Sequence, residues 1–235
     1  MKEIVVVIPA YNPLPSLVPF VQKLTSFQFK QIIIINDGSY KNTLPIFEQL
    51  ADLESCIVLH KEENSGKGGA LKVGFKYILS HHKKIKGVIT AGAHGQHQLD
   101  EIKLIADTSD IFSDGIILGV RQFRSKDIPL INFFANRAAS MLFETFFHRR
   151  LLDIQSGLRF ISKKELFWVK KVPGQGFNFD TNMLVEAIQR GVSIYEVPIG
   201  GVRIKKNSII FYDEILHPSL MLQQIWKSFL KRKSK

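Results

Sequence analysis

Five short apolar runs punctuate the first half of the chain: IVVVIP from Ile4, QIIIIND from Gln31, CIVLH from Cys56, GVITA from Gly87 and GIILGV from Gly115. Each is bounded by Gly, Asn, Asp or Pro, and continuous apolar runs of this length predict strands covered on both faces. Between them the period changes. Leu17, Phe20, Val21 and Leu24 share one face of a helix over Ser16–Leu24, and Leu71, Phe75 and Ile78 share one over Lys67–Leu79. Strands alternating with helices predict an α/β fold with a mostly parallel, doubly wound sheet, whose ligands bind beyond the carboxyl ends of the strands.

The second half reads as a long helix over Asn132–His148, a turn and strand at DIQSGLRFIS, a helix near Thr181–Arg190, and the strand VSIYEVPI. After Pro218 the pattern is different. Leu222, Ile225, Trp226, Phe229 and Leu230 fall on one face, and KSFLKRKSK ends the chain. This is a basic amphipathic helix, suited either to a lipid interface or to docking on the protein's own core. The organisation expected is one domain over 1–212 and a C-terminal segment over 213–235.

Composition narrows the partners. Hydrophobic content of 45% and charged content of 23% are those of a globular protein. The formal net charge of +11 favours polyanions: nucleotide phosphates, an anionic membrane surface or nucleic acid. Nucleic acid is the weaker fit, because the basic residues are scattered and no zinc finger or RNP aromatic pair is present. The single cysteine, Cys56, excludes an internal disulfide and fits a reducing, cytoplasmic setting. The start, MKEIVVVIPAYNP, does not read as a signal peptide, and no run reaches the ~20 apolar residues of a spanning helix.

Candidate chemistry sits at the strand ends. IPAYNP offers the Tyr11 ring and the Asn12 amide between Pro9 and Pro13. NDGS places Asp37 either in a plain turn or as a carboxylate for a base or ribose. In ENSGKGGA, Gly66, Gly68 and Gly69 with Lys67 suit a backbone that comes close to a phosphate at a helix N-terminus. This is not a Walker loop, since no Ser or Thr follows Lys67.

Together these segments, with LGVRQF, ANRAASMLF, DIQSGLRFIS, GFNFDTNMLVEAIQRGVSIYEVPI and VRIKKNS, resemble the family 2 glycosyltransferases of GT-A fold. The branch is that of the dolichyl- and undecaprenyl-phosphate sugar synthases, and the likeness extends to about Phe211. It implies transfer of a sugar from a nucleoside diphosphate sugar to a polyprenyl phosphate, or to a cell-envelope glycan acceptor. The setting implied is peripheral, at the inner face of the membrane. By the same resemblance Pro9, Tyr11, Asn12 and Asp37 line the base and ribose, and Lys67, Gly92, His94 and Gln96 lie toward the sugar nucleotide. Arg121 and Arg137 match cations near the phosphates, and Asp153 a carboxylate near the acceptor. Lys205, Asn207 and Ser208 match the segment over the acceptor phosphate. Arginine suits such a place because it chelates phosphate oxygens with two prongs. Oligomerisation, with like or unlike subunits, is left open.

One segment departs from the pattern. The family's fourth strand ends in Asp-x-Asp, which holds Mg²⁺ or Mn²⁺ on the donor phosphates; AGAHGQH has Gly92 and His94 there. Hard divalent cations need oxygen ligands, which glycine lacks. Three readings follow. The chain works without metal, with Lys67, Arg121, Arg137 and protonated His94 offsetting the charge. Alternatively His94 and His97 hold a softer ion such as Zn²⁺, with Gln96 helping. The third is a catalytically inactive relative acting as a binding or regulatory partner. His97 also has a bland reading, as a helix cap.

Overall fold

A computed structural model describes residues 2–95, 97–121 and 130–200. Seven strands form one sheet: β1 (Lys2–Ala10), β2 (Phe29–Asp37), β3 (Cys56–Lys61), β4 (Gly87–Thr90), β5 (Ile116–Arg121), β6 (Arg159–Ser162) and β7 (Ile194–Ile199), in the order β3-β2-β1-β4-β6-β5-β7. All neighbours are parallel except β6, which runs antiparallel to both β4 and β5. The mostly parallel α/β sheet expected from the alternating pattern is therefore present.

The side-chain period of two explains why β1 has no polar face. Val5 and Val7 join one core with Ile33 and Ile35; Ile4, Val6 and Ile8 join the other with Ile32 and Ile34. Helix α3 (Lys67–His81) lends Leu71, Phe75 and Ile78 to the first core, as its spacing predicts. Residues of α5 (Leu130–Phe147), α6 (Lys163–Val169) and α7 (Asn178–Gln189) complete that layer. The opposite layer is built by α1 (Leu17–Thr25), α2 (Leu44–Ala51) and α4 (Leu99–Ile111). The helices α2, α4 and α6 were not anticipated; α2 and α6 have only 8 and 7 residues, too short for a helical period to stand out.

Register brings the site together. Ala10 pairs with Asn36, Asn36 with His60, and Val7 with Thr90, so the carboxyl ends of β1, β2, β3 and β4 share one edge. Because β6 is antiparallel, its first residue lands on the same edge: Arg159 pairs with Thr90 at the end of β4. Among the described residues no helix is long and apolar enough to cross a membrane. The segment 213–235 lies outside the described residues.

Candidate active site

The first wall is a staple between two strand ends. Asn12, with φ of 46°, gives its backbone N–H to Ser39 Oγ at 2.9 Å, and its own Oδ1 accepts the Tyr40 N–H at 2.8 Å. The Tyr11 and Tyr40 rings stand 6.0 Å apart, and Tyr40 is exposed. Pro9 is half-buried just behind them. Below lies Asp37, buried, with Oδ1 accepting from Ser65 N at 3.1 Å and Ser65 Oγ at 3.2 Å and ion-paired with Lys61. That carboxylate ties the end of β2 to the loop before α3.

The glycines of that loop allow a close approach of the chain's own backbone. The space of a Cβ on Gly66 is taken by Gln175 O at 2.9 Å, and that of Gly68 by the Phe179 side chain. The Gly69 N–H donates to Gln175 O at 2.8 Å. The chain's own 175–179 segment thus packs closely against the α3 N-terminus, an approach that these glycines permit. Lys67 is carried to the edge and ion-pairs with Asp180 of α7, under the Phe177 ring at 5.4 Å.

Beside Lys67 stands a cluster of buried charge. The Asp153 carboxylate, fully buried, accepts Arg121 Nε–H at 2.6 Å and Nη2–H at 2.8 Å in a two-pronged pair. Arg159 is also fully buried and donates to three carbonyls: Ser156 O at 2.7 Å, Ile154 O at 2.9 Å and Asp180 O at 2.9 Å. Its Nη1 lies 3.5 Å from Asp180 Oδ1, so Asp180 serves Lys67 and Arg159 together. Thr90 Oγ1 donates to Gly157 O at 2.8 Å, holding the loop between Asp153 and Arg159 against the end of β4. Gly157 permits the closest approach: a Cβ there would stand 3.0 Å from Lys67 Nζ and 3.7 Å from His97 Nε2.

His97 reports the potential inside this cluster. Burial first, then the charges of Arg121 and Lys67, push its imidazole down to about 3, and Asp153 offsets this only in part. His97 is therefore neutral near pH 7 and is no proton donor there. It is not the helix cap either: that position is Gln98, whose N–H donates to Glu101 Oε2 at 2.9 Å. The lowered value has a stability consequence. Between pH ~6.5 and ~3 the unfolded imidazole takes up a proton that the folded one refuses, so stability falls as the pH falls, by at most about 1.4 kcal/mol per pH unit. Urea midpoints of wild type and His97→Gln at pH 7 and pH 5 should diverge, the variant losing less on acidification. Equal losses would remove His97 from the acid response.

Two carboxylates missed by sequence reasoning complete the frame. Glu196 Oε1 accepts the Leu152 N–H at 2.7 Å and so fixes the backbone beside Asp153. Burial raises its carboxyl above the usual range, although the Leu152 and Asp153 amides pull it down. Glu101 Oε1 accepts the Gly200 N–H at 3.0 Å and links α4 to the end of β7. Arg159 and Asp180 were also missed. The available signal was charge inside apolar sequence, LRFIS and NFDTNML, since a buried charge needs a partner.

The cluster thus unites Lys67, His97, Arg121 and Asp153. Arg137 instead stands exposed on α5. Gly92 and His94 are half-buried in the loop after β4, where burial lowers the His94 imidazole. Gln96, Lys205, Asn207 and Ser208 lie outside the described residues. Gly92 and His94 offer Mg²⁺ or Mn²⁺ no carboxylate oxygen, and among the described residues no three His, Cys, Asp or Glu side chains group as metal ligands. A zinc site on His94 and His97 lacks a third such ligand among them, and the positive charge that repels a proton from His97 repels a metal ion too.

Comparison with known proteins agrees with this architecture. Glycosyl transferase family 2 matches residues 5–163. The chain is 28% identical over 217 residues to the UDP-N-acetylglucosamine–dolichyl-phosphate N-acetylglucosaminyltransferase of Methanococcus voltae, covering 84% of this chain and 85% of that one. It is 25% identical over 207 residues to the polyprenol monophosphomannose synthase of Mycolicibacterium smegmatis, covering 84% and 77%. The crystal structure of Mycobacterium tuberculosis glucosyl-3-phosphoglycerate synthase with Mn²⁺, UDP-glucose and phosphoglyceric acid aligns at a TM-score of 0.71 and 15% identity, over 98% of this chain and 79% of that one. At that identity the likeness is one of fold.

Proposed function

Because the chain belongs to glycosyl transferase family 2, we infer that it transfers a sugar from a nucleoside diphosphate sugar to a polyprenyl phosphate. The observation that carries the reading is the buried cluster at the carboxyl edge, where three cations from distant elements, Lys67, Arg121 and Arg159, are gathered around Asp153 and Asp180. Both substrates are anionic, and cations held in a water-poor setting attract them. The relatives named for dolichyl-phosphate and polyprenol substrates support the acceptor class.

The chemistry asks little of a base. An acceptor phosphate oxygen, already ionised near neutral pH, attacks the anomeric carbon; the bond from that carbon to the diphosphate oxygen breaks, and the nucleoside diphosphate leaves with the electron pair. What the protein supplies is alignment and stabilisation of charge on the leaving group. In this reading Tyr11, Asn12 and Asp37 border the nucleoside, and Lys67 and Arg121 face the diphosphate. Asp153 holds Arg121 in place. The roles expected of 205–208 toward the acceptor phosphate and of 213–235 toward a membrane surface fall outside the described residues.

The test is turnover. UDP-glucose, UDP-N-acetylglucosamine and GDP-mannose are each incubated with the protein and polyprenyl phosphate in liposomes. The expected result is a lipid-linked sugar and one equivalent of free nucleoside diphosphate from at least one donor. Nucleotide binding without product from any donor would overturn the transfer.

A further inference from the structure

We propose that this chain neutralises the donor diphosphate with its own Lys67 and Arg121, so that nucleoside diphosphate binding requires no divalent cation. The inference rests on the donor reading above and deepens it.

Two carboxylates and the divalent cation between them add no net charge to a site. Gly92 and a neutral His94 add none either. Replacing both aspartates and dispensing with the cation is therefore neutral for an incoming diphosphate, whereas replacing only one of the three is not. Binding a dication here would add two positive charges next to Lys67, Arg121 and Arg159, where Gly92 and His94 offer it no carboxylate.

Lys67 and Arg121 come from distant elements, yet meet at one place: the Cβ space of Gly157 lies 3.0 Å from Lys67 Nζ and 3.7 Å from the buried His97 Nε2, and the charges of Arg121 and Lys67 both act on that imidazole. Their side chains are 17% and 18% exposed, so each is held mostly out of water but opens to the edge of the sheet. Each is aimed by its own buried carboxylate, Asp180 for Lys67 and Asp153 for Arg121. Anchored cations of this kind cost little reorganisation when an anion arrives. Asp180 takes one of the three ammonium donors of Lys67. The cations that meet the diphosphate are thus placed by folding, where a metal-dependent site draws its cation from solution.

Calorimetric titration of the full chain with UDP and with GDP, in EDTA and in Mn²⁺, tests this directly. The dissociation constant of the nucleotide that binds is expected to agree within about twofold between the two conditions. A tenfold or greater loss in EDTA would overturn the metal-free site while leaving the donor reading intact. No binding of either nucleotide in either condition would overturn the donor reading itself, and this inference with it. A double variant, Gly92→Asp with His94→Asp, supplies a second arm at half-buried loop positions. It is expected to bind at least tenfold more weakly in EDTA and to recover in Mn²⁺, because it has two carboxylates and no counter-ion. Undiminished binding of the variant in EDTA would show that these positions do not face the diphosphate and would overturn the charge argument. Lys67→Met is expected to weaken binding in EDTA by tenfold or more; retained affinity would overturn the role given to Lys67.

Discussion

Replacing Arg159 with leucine is expected to cost about 3–5 kcal/mol of folding stability, the loss typical of breaking a buried ion pair from one side. The Arg159 guanidinium is inaccessible to water and holds three carbonyls, those of Ile154, Ser156 and Asp180. Leucine has similar apolar bulk but no donor. The three carbonyls would be left in the interior, and each unmet buried acceptor costs about 1–3 kcal/mol before relaxation. Asp180 would also lose one of its two cations and keep only Lys67. Arg159→Lys should recover only part of the loss, because one ammonium cannot span three carbonyls in a planar fork. Urea denaturation measures both variants. A cost below about 1 kcal/mol for Arg159→Leu would mean that the guanidinium is not the strut of this loop.

Asp153→Asn is expected to lower kcat by about 10²-fold while the KM for the donor stays level or falls. The two effects have separate causes. Asparagine keeps the shape of the carboxylate but offers Arg121 one acceptor oxygen where there were two, so the two-pronged pair at 2.6 and 2.8 Å is lost. A guanidinium misplaced by ~1 Å no longer meets the charge that develops on the leaving diphosphate, and such misplacement costs about 10² in rate. Removing a negative charge from the cluster meanwhile makes the site more attractive to an anionic donor. Steady-state kinetics separates the two, with thermal unfolding as a control for global loss. A kcat within threefold of wild type would sink the view that Asp153 works through Arg121. A rise in donor KM at unchanged kcat would indicate a direct contact with the donor.

The pH behaviour links the two substitutions. Burial lowers Arg121, but the charge and hydrogen bonds of Asp153 together with the charge of Asp180 outweigh it and leave the group raised; Arg159 is lowered by burial in spite of Asp180 and Asp153. Both stay charged across the physiological range, as guanidinium groups do. Acid also acts on His97, whose protonation would place a third positive charge against Arg121 and Lys67. Loss of structure at low pH is therefore expected to start at this cluster.

Much of the fold was legible because strand and helix patterns are local. IVVVIP, QIIIIND and GIILGV announce burial on both faces within six or seven residues, and Leu71, Phe75 and Ile78 announce a helix face within two turns. The family likeness was legible for the same reason, since short segments at strand ends carry it. The glycine-rich ENSGKGGA has a remote partner that no local pattern shows: Gln175 and Phe179 fill the space that its glycines leave. Arg159 was overlooked because a charge at the start of an apolar strand reveals its partner only when the strand is placed.

By itself, then, the sequence determined the strands, the alternating layers, the family, and the absence of carboxylates at Gly92 and His94. Only the tertiary structure decided which charges meet. Lys67 and Asp180 are 113 residues apart, and Arg121 and Asp153 are 32 apart. Their encounter depends on strand order and on β6 running antiparallel, which lays Arg159 beside the end of β4. Burial periodicity is a property of neighbouring residues, so a single strand expresses it. An ion pair is a property of two chain segments brought within ~4 Å in a medium that screens poorly, and only packing supplies both the distance and the medium.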